Sequence, residues 1–112
     1  MDTQKCYSGA SKMKFLILQW IKPSASIEKL AKLIPAQFKY LDALESQGKI
    51  EKYYHLIGKQ GHMIIVDVSS DEELSKLISE DPLFFHSERK IYPLTTRETH
   101  KKYLRELLGR EV

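Results

Sequence analysis

The sequence predicts an α+β domain in which helices cover one face of a four-stranded antiparallel sheet. Four short segments have the alternating, β-branched pattern of strands, two segments between them have helical periodicity, and Gly or Pro residues separate most of them. The order is strand, helix, strand, strand, helix, strand, with a further helix at the end. This is the order of the split βαβ (βαββαβ), or ferredoxin-like, fold. At 112 residues the chain is long enough for one such domain but too short for two.

The first strand and the first helix are predicted in the N-terminal half of the chain. Residues 14–21 read KFLILQWI, and neither of their two alternating sets has the polarity of a solvent-facing set. Ser24 or Ser26 can cap the helix that follows, and Gly48 can end it. Because Pro35 lies inside this helix and lacks a backbone N–H, we expect a kink or two successive helices.

A β-hairpin is predicted in the middle of the chain. Residues 50–57 and 62–68 both alternate in side-chain type, and the second run is rich in β-branched residues. The glycine-containing turn at residues 58–61 folds the first strand back onto the second. This pairing places His55 and His62 on strands that face each other.

The second helix and the last strand follow the hairpin. Ser70 and Glu73 have the spacing of a capping box, which starts a helix, and Pro82 ends that helix because it disfavours helical geometry at the preceding residue. Residues 89–94 then form a strand. Pro93 in this segment requires that the strand lie at a sheet edge or end there.

A second capping box, Thr95 with Glu98, predicts a third helix after the last strand. The domain organisation is therefore a flexible leader at residues 1–12, a ferredoxin-like domain at residues 13–95 and a C-terminal helix at residues 96–112.

The composition indicates a cytoplasmic protein. The net charge is +3 with basic and acidic residues interleaved, so we expect no nucleic acid partner. No apolar run reaches the roughly 18 residues that cross a bilayer, and the N-terminus lacks a signal-peptide core, so we expect no membrane partner. The single Cys6 cannot form an internal disulfide, which agrees with a reducing compartment.

Both faces of the predicted strands are largely apolar, which a single sheet covered by helices on one face does not bury. We therefore expect a homodimer or a higher homo-oligomer in which a second subunit covers the exposed face. The alternative is that these residues line an internal cavity or lie under the third helix.

Several segments resemble the muconolactone isomerase-like proteins over about residues 13 to 95. The resemblance lies above all in residues 81–85 (DPLFF) and 91–94 (IYPL), together with the VDV strand end at residues 66–68. It implies a dimeric α+β barrel built from ferredoxin-like subunits. It also implies an isomerase-like activity on a small lactone or related metabolite.

The chain departs from this family pattern at two places. The family that this chain resembles has acidic residues in the middle of the first helix. This chain has Ala36-Gln37-Phe38-Lys39 there. A glutamine cannot accept a proton at neutral pH. Tyr53-Tyr54-His55 replace a tryptophan and an arginine. His55 or Lys59 would then supply the basic residue that fits a carboxylate substrate.

The candidate chemistry is proton transfer, because histidine titrates closest to neutral pH. The predicted catalytic residues are His55, His62 and Tyr54, and the predicted substrate-binding residues are Tyr53, Gln37, Tyr40, Lys59 and His86. For the hairpin histidines the alternative is a structural role, with hydrogen bonds or solvent satisfying the imidazoles. For His86, beside Phe84-Phe85, the alternative to a pocket mouth is core or interface packing. We expect no metal and no cofactor, since metal-ligand spacing, phosphate loops and nucleotide fingerprints are missing.

Three functions remain open from the sequence. The first is a cofactor-independent isomerase, cyclase or lyase that holds a small lactone or aromatic metabolite between the first helix and the sheet. The second is a non-catalytic barrel that binds a small-molecule ligand or acts as an assembly partner. The third is a cofactor-free monooxygenase.

Overall fold

The computed structural model of the protein describes residues 12–112, so the predicted leader lies, except for Lys12, outside the described residues. The described part folds into an α+β domain whose elements follow the predicted order. The elements are β1 (Met13–Ile21), α1 (Ile27–Ser46), β2 (Ile50–His55), β3 (Gly61–Val68), α2 (Asp71–Ser79), a short 3-10 turn (Phe84–His86), β4 (Ser87–Leu94) and α3 (Arg97–Leu108).

The four strands form one antiparallel sheet in the order β2-β3-β1-β4, which confirms the predicted ferredoxin-like plan. The central strand β1 pairs with β3 on one side and with β4 on the other. Strands β2 and β4 lie at the two edges, and Pro93 is in β4, where an edge position tolerates a residue without an N–H.

The hydrophobic core lies between the sheet and the helices α1 and α2. Strand β3 alternates strictly between buried and partly exposed residues, as a strand with one covered face does. The core consists of Ile17, Leu41, Leu44, Ile50, Ile64, Val66, Val68 and Leu77. We call the face of the sheet that packs against α1 and α2 the inner face.

The opposite, outer face of the sheet is also apolar. Its central side chains are partly exposed and come from the alternate positions of β1 and β3, namely Leu16, Leu18, Trp20, Met63 and Ile65. Helices α1 and α2 pack on the inner face. The outer face therefore keeps the apolar character that the sequence predicted for it.

Helix α1 is a single helix of 20 residues that contains Pro35, so the predicted alternative of two successive helices is wrong. Pro35 is exposed, and the apolar stripe on either side of it packs on the sheet, which compensates for the one missing backbone hydrogen bond. Ser26 is the N-cap, and its hydroxyl accepts a hydrogen bond from the Lys29 amide at 3.3 Å.

Two predicted helix caps differ in detail. Ser70 caps α2 by accepting from the Glu73 amide at 3.1 Å, but the Glu73 carboxylate accepts from the Ser69 amide rather than from Ser70. The box of Thr95 with Glu98 is wrong. Because α3 begins at Arg97, the cap is Thr96, whose hydroxyl accepts from the Thr99 amide at 3.1 Å.

Helix α3 follows β4 and buries none of its residues. Tyr103, Leu107 and Leu108 on this helix are exposed. None of the helices between residues 12 and 112 has the length and apolarity that crossing a bilayer requires.

The core assignment predicts a large difference between two isoleucines. Ile17 is 2% exposed in the centre of the sheet, whereas Ile57 in the hairpin turn is fully exposed. We expect Ile17→Ala to lower the free energy of unfolding by about 2–5 kcal/mol through lost burial and a residual cavity. Ile57→Ala should change it by no more than about 0.5 kcal/mol. Urea unfolding followed by circular dichroism measures both, and equal losses would contradict the assignment.

Candidate functional site

One row of the inner face is polar across all four strands. His55 pairs with His62, His62 pairs with Gln19, and Gln19 pairs with Arg89, so the row crosses β2, β3, β1 and β4 in turn. We call these four residues the polar row. Two residues further along β1 and β3, the same face carries the paired Ile17 and Ile64 of the core. The polar row therefore marks the end of the sheet at which the apolar core stops.

A cleft opens over this row between α1 and the sheet. About 320 Å³ over this row is free of protein atoms, a figure that includes the open solvent at the mouth of the cleft. The enclosed space within it is narrow. Its lining is formed by Gln19, Trp20, Ile21, Ile34, Gln37, Phe38, His55, Gln60, Gly61, His62, Leu83 and Ser87. The cleft thus combines apolar and aromatic walls with a few polar groups, as small-molecule sites do.

The polar base of the cleft is organised by Asp81, which follows α2 and is 9% exposed. The Gln37 Nε2 atom donates to both carboxylate oxygens of Asp81 at 3.1 Å, and the Gln19 Nε2 atom donates to one of them at 3.1 Å. The Leu83 amide also donates to Asp81, at 2.8 Å. A carboxylate only accepts hydrogen bonds, and these three donors satisfy it in a buried position.

Arg89 completes the network on the other side of Gln19. Its Nε atom donates to the Gln19 Oε1 atom at 3.3 Å, and its Nη2 atom donates to the Phe84 carbonyl oxygen at 3.0 Å. The guanidinium also lies over the Phe84 ring, 4.7 Å from its centroid. Burial lowers the pKa of Arg89, and the negative charge of Asp81 opposes this shift. One glutamine side chain therefore joins a buried carboxylate and a half-buried guanidinium.

His62 lies in the centre of the polar row and is 4% exposed. Burial lowers the pKa of His62 from its ordinary value of 6.5, the charge of Asp81 acts in the opposite direction, and His55 lowers it further. The ring of Tyr53 lies beside the imidazole at a centroid distance of 5.2 Å. Within residues 12–112, the His62 Nε2 atom is buried without a hydrogen-bond partner. His62 is therefore a neutral imidazole at neutral pH with an unused ring nitrogen.

His55 and Tyr53 form the outer part of the cleft. The Tyr53 hydroxyl oxygen and the His55 Nε2 atom lie 3.3 Å apart, within hydrogen-bonding distance. The Phe38 ring meets the His55 ring edge to face at 5.8 Å between centroids. Burial raises the pKa of Tyr53, and the carboxylates of Asp42 and Asp81 add to the shift, so the phenol stays protonated as a potential donor.

The structure brings together three of the predicted site residues in the lining of the cleft, namely His55, His62 and Gln37, with Tyr53 beside them. Their functional roles remain predictions. Sequence reasoning missed Gln19, Asp81 and Arg89. For Gln19 the available indication was that it is the one polar residue in the alternating set of Phe15, Ile17, Gln19 and Ile21.

None of the other predicted site residues is in the lining of the cleft. Tyr54 is 58% exposed and, one residue from His55, lies on the outer face. The Lys59 ammonium lies 4.7 Å from the centroid of the ring of Trp20, a residue that borders the cleft. Tyr40 donates from its hydroxyl to the Leu77 carbonyl oxygen at 2.6 Å, and burial raises its pKa to about 12. The backbone oxygen of His86 accepts from the Lys22 amide at 2.9 Å.

No group of three or more His, Cys, Asp or Glu side chains among residues 12–112 has an arrangement that could hold a metal ion. The groups that the cleft offers for chemistry are imidazole, amide, hydroxyl and phenol. These groups can bind a small molecule and can accept or donate a proton.

Comparisons with known proteins agree with this architecture. The family model described as muconolactone delta-isomerase matches residues 13–101. The crystal structure of a muconolactone isomerase has a TM-score of 0.68 at 18% identity and covers 76% of this chain and 91% of that one. A second similar structure is that of a 5-chloro-2-hydroxyhydroquinone dehydrochlorinase from Burkholderia phenoliruptrix AC1100 in complex with 2,5-dihydroxybenzoquinone. Its TM-score is 0.64 at 19% identity, and the match covers 78% of this chain and 98% of that one. At these identities the two structures establish a shared fold. No curated protein matches the sequence.

The network at the base of the cleft predicts that Asp81→Asn destabilises the protein. The new amide group would point a donor at Gln19 or Gln37, which already present N–H groups there. We expect a loss of about 1–3 kcal/mol in the free energy of unfolding, measured by urea titration. The matched control is Asp42→Asn on the exposed surface of α1, which should stay within about 0.5 kcal/mol of the wild type.

The lowered pKa of His62 predicts a pH dependence of stability. The unfolded chain takes up the proton near the ordinary value of 6.5, whereas the folded chain resists it to lower pH. The contribution of His62 to stability is therefore fully present above pH 6.5 and is lost as the pH falls through the lowered folded-state pKa. Urea unfolding at several pH values should show a weaker acid-side decline for His62→Gln than for the wild type. His100→Gln on α3 is the control and should keep the wild-type decline.

Proposed function

The chain belongs to the muconolactone delta-isomerase family, and on this premise we propose that it is a cofactor-independent enzyme that moves a proton on a small ring metabolite. The metabolite, a lactone or an aromatic or quinonoid compound, binds in the cleft between α1 and the inner face of the sheet. The observation that carries this proposal is His62, a buried, neutral imidazole whose Nε2 atom has no hydrogen-bond partner in the described part of the chain.

The chemistry that this residue supports is general base catalysis. The lone pair of Nε2 accepts a proton from a carbon atom next to a carbonyl group, which leaves an enolate on the ligand and an imidazolium on His62. The imidazolium exchanges its proton with solvent and then delivers one proton to a second carbon of the conjugated system, which completes an isomerisation without net gain or loss of protons. The Asp81 charge favours the imidazolium, since it acts to raise the pKa of His62.

His55 and Tyr53 supply a second proton-transfer pair at the outer part of the cleft. They are within hydrogen-bonding distance of each other, and the ring of Tyr53 also lies beside His62. In this proposal they protonate or orient the carbonyl oxygen of the ligand. Tyr54 does not enter the mechanism within one subunit, because its side chain lies on the outer face.

The proposal includes a homodimer or a larger homo-oligomer. The outer face presents partly exposed apolar side chains from β1 and β3, among them Leu18 and Met63, which pair across the two strands. Two such faces packed together would remove this apolar surface from water.

A non-catalytic binding protein is the second candidate, and one observation favours it. The His62 Nε2 atom is almost fully covered by surrounding protein atoms. A base must reach its proton within hydrogen-bonding distance. In this candidate His62 has a structural role and the cleft only holds a ligand. The third candidate, a cofactor-free monooxygenase, requires consumption of oxygen.

Exchange of ligand protons with solvent tests the catalytic proposal. We expect the wild type to introduce deuterium from D₂O into carbon positions next to the carbonyl of lactones or hydroxyquinones, as followed by proton NMR. His62→Gln should reduce the rate by about 100-fold or more, the usual contribution of a general base. His100→Gln, on the exposed α3, is the matched control and should retain the wild-type rate.

Three outcomes separate the candidates. Exchange that persists in His62→Gln would show that His62 is not the base. Binding of ligands without exchange in the wild type would favour the non-catalytic protein. Uptake of oxygen with a bound ligand, measured with an oxygen electrode, would favour the monooxygenase.

A further inference from the structure

The charges around the cleft are distributed unevenly. None of the residues that line it is a lysine or an arginine. The buried Asp81 carboxylate is hydrogen-bonded to Gln19 and Gln37 of the lining. The half-buried Arg89 guanidinium is hydrogen-bonded to Gln19 alone among the lining residues. An anionic ligand beside Gln37 would therefore approach the buried negative charge of Asp81.

The neighbouring cations are committed elsewhere. The guanidinium of Arg89 donates to Gln19 and to the Phe84 carbonyl oxygen, and its face lies on the Phe84 ring. The ammonium of Lys59 lies on the ring of Trp20, a residue at the border of the cleft. The ammonium of Lys22 is 3.4 Å from the Phe85 carbonyl oxygen. None of these cations is in the lining of the cleft, so the lining residues themselves offer no bidentate or point-charge partner of the kind that carboxylate ligands usually meet in proteins.

Three polar atoms of the lining can each accept a hydrogen bond from a ligand. Gln37 uses its Nε2 atom for both oxygens of Asp81, so its Oε1 atom is the part of the amide left for a ligand. Two further atoms of lining residues, the His62 Nε2 atom and the Ser87 hydroxyl oxygen, are buried without a hydrogen-bond partner among residues 12–112. A ligand that donates hydrogen bonds would satisfy these atoms, whereas a carboxylate only accepts.

From this arrangement we infer that the cleft selects uncharged rings that carry a hydroxyl group, such as phenols, quinols and lactones with a free hydroxyl, and rejects carboxylates. The Asp81 carboxylate is the element that rejects anions, and the Gln37 Oε1 atom is the acceptor for the ligand hydroxyl. The apolar walls, which include Ile34, Phe38 and Leu83, contact the ring. This inference rests on the proposed function for the location of the ligand, and it holds whether or not the ligand reacts.

Three probe compounds of nearly equal shape test the inference by titration calorimetry at pH 7.5. Methyl 4-hydroxybenzoate is uncharged and carries a hydroxyl, 4-hydroxybenzoate carries the hydroxyl and a carboxylate, and methyl 4-methoxybenzoate carries neither a hydroxyl nor a charge. We expect the first to bind the wild type at least about 10-fold more tightly than either of the others, since each mismatch leaves a buried polar group unpaired or two like charges close together.

Variants of two glutamines assign the preference to the cleft. Gln37→Leu removes the acceptor and should bring methyl 4-hydroxybenzoate and methyl 4-methoxybenzoate to within about 3-fold of each other. Gln47→Leu at the exposed end of α1 is the matched control and should keep the wild-type ratio. Circular dichroism checks that both variants are folded. The comparison of the three probes on the wild type does not depend on the variants.

The inference is overturned if 4-hydroxybenzoate binds as tightly as its methyl ester, or if none of the three probes binds at millimolar concentration. Its failure is distinguishable from failure of the catalytic proposal. If the probes bind in the expected order but no deuterium exchange occurs, the inferred selectivity is supported and the proposed catalysis is contradicted. If a carboxylate-bearing lactone exchanges deuterium, the proposed catalysis is supported and the inferred selectivity is contradicted.

Discussion

The buried carboxylate of Asp81 is the constraint on which the functional end of this fold depends. It follows α2, and its hydrogen bonds reach Gln37 on α1 and Gln19 on the central strand β1. A buried carboxylate without donors would cost several kcal/mol, so the three elements must meet at this point for the network to form. The same network fixes the orientation of both glutamine amides, and through Gln19 it connects to Arg89 on β4.

This constraint explains why the inner face has two regions. Around Ile17 and Ile64 the sheet and helices exclude water by apolar packing, which tolerates no unpaired polar group. At the polar row the same strands carry polar groups. Gln19 and Arg89 are joined by a directional hydrogen bond, and the His62 Nε2 atom has no partner in the described part of the chain. Directional contacts leave gaps that close packing does not, and the cleft lies over this part of the sheet. The apolar core and the cleft thus lie over neighbouring rows of one sheet.

Much of the fold could be predicted because its determinants are local. The alternation of side-chain type predicted the strands, and the glycine-containing turn predicted the hairpin that pairs His55 with His62. Pro82 predicted the end of α2. The base of the cleft could not be predicted in this way. Asp81 reads as part of a helix stop, and its partners Gln19 and Gln37 are 62 and 44 residues away in the sequence. Which polar residues meet is decided by strand register and helix packing, and one sequence does not contain that information in readable form.

The last helix, α3, is capped at both ends but has little packing against the rest of the domain. α3 has capping groups at both ends, Thr96 and the left-handed Gly109, but none of its 12 residues is buried. A helix of this length is only marginally stable in water without packing. Its helical content should therefore depend on what its exposed Leu107 and Leu108 contact. If the proposed homo-oligomer covers this helix, the C-terminal segment gains helical order as the protein concentration rises. Its amide protection then reports on self-association rather than on folding of the domain.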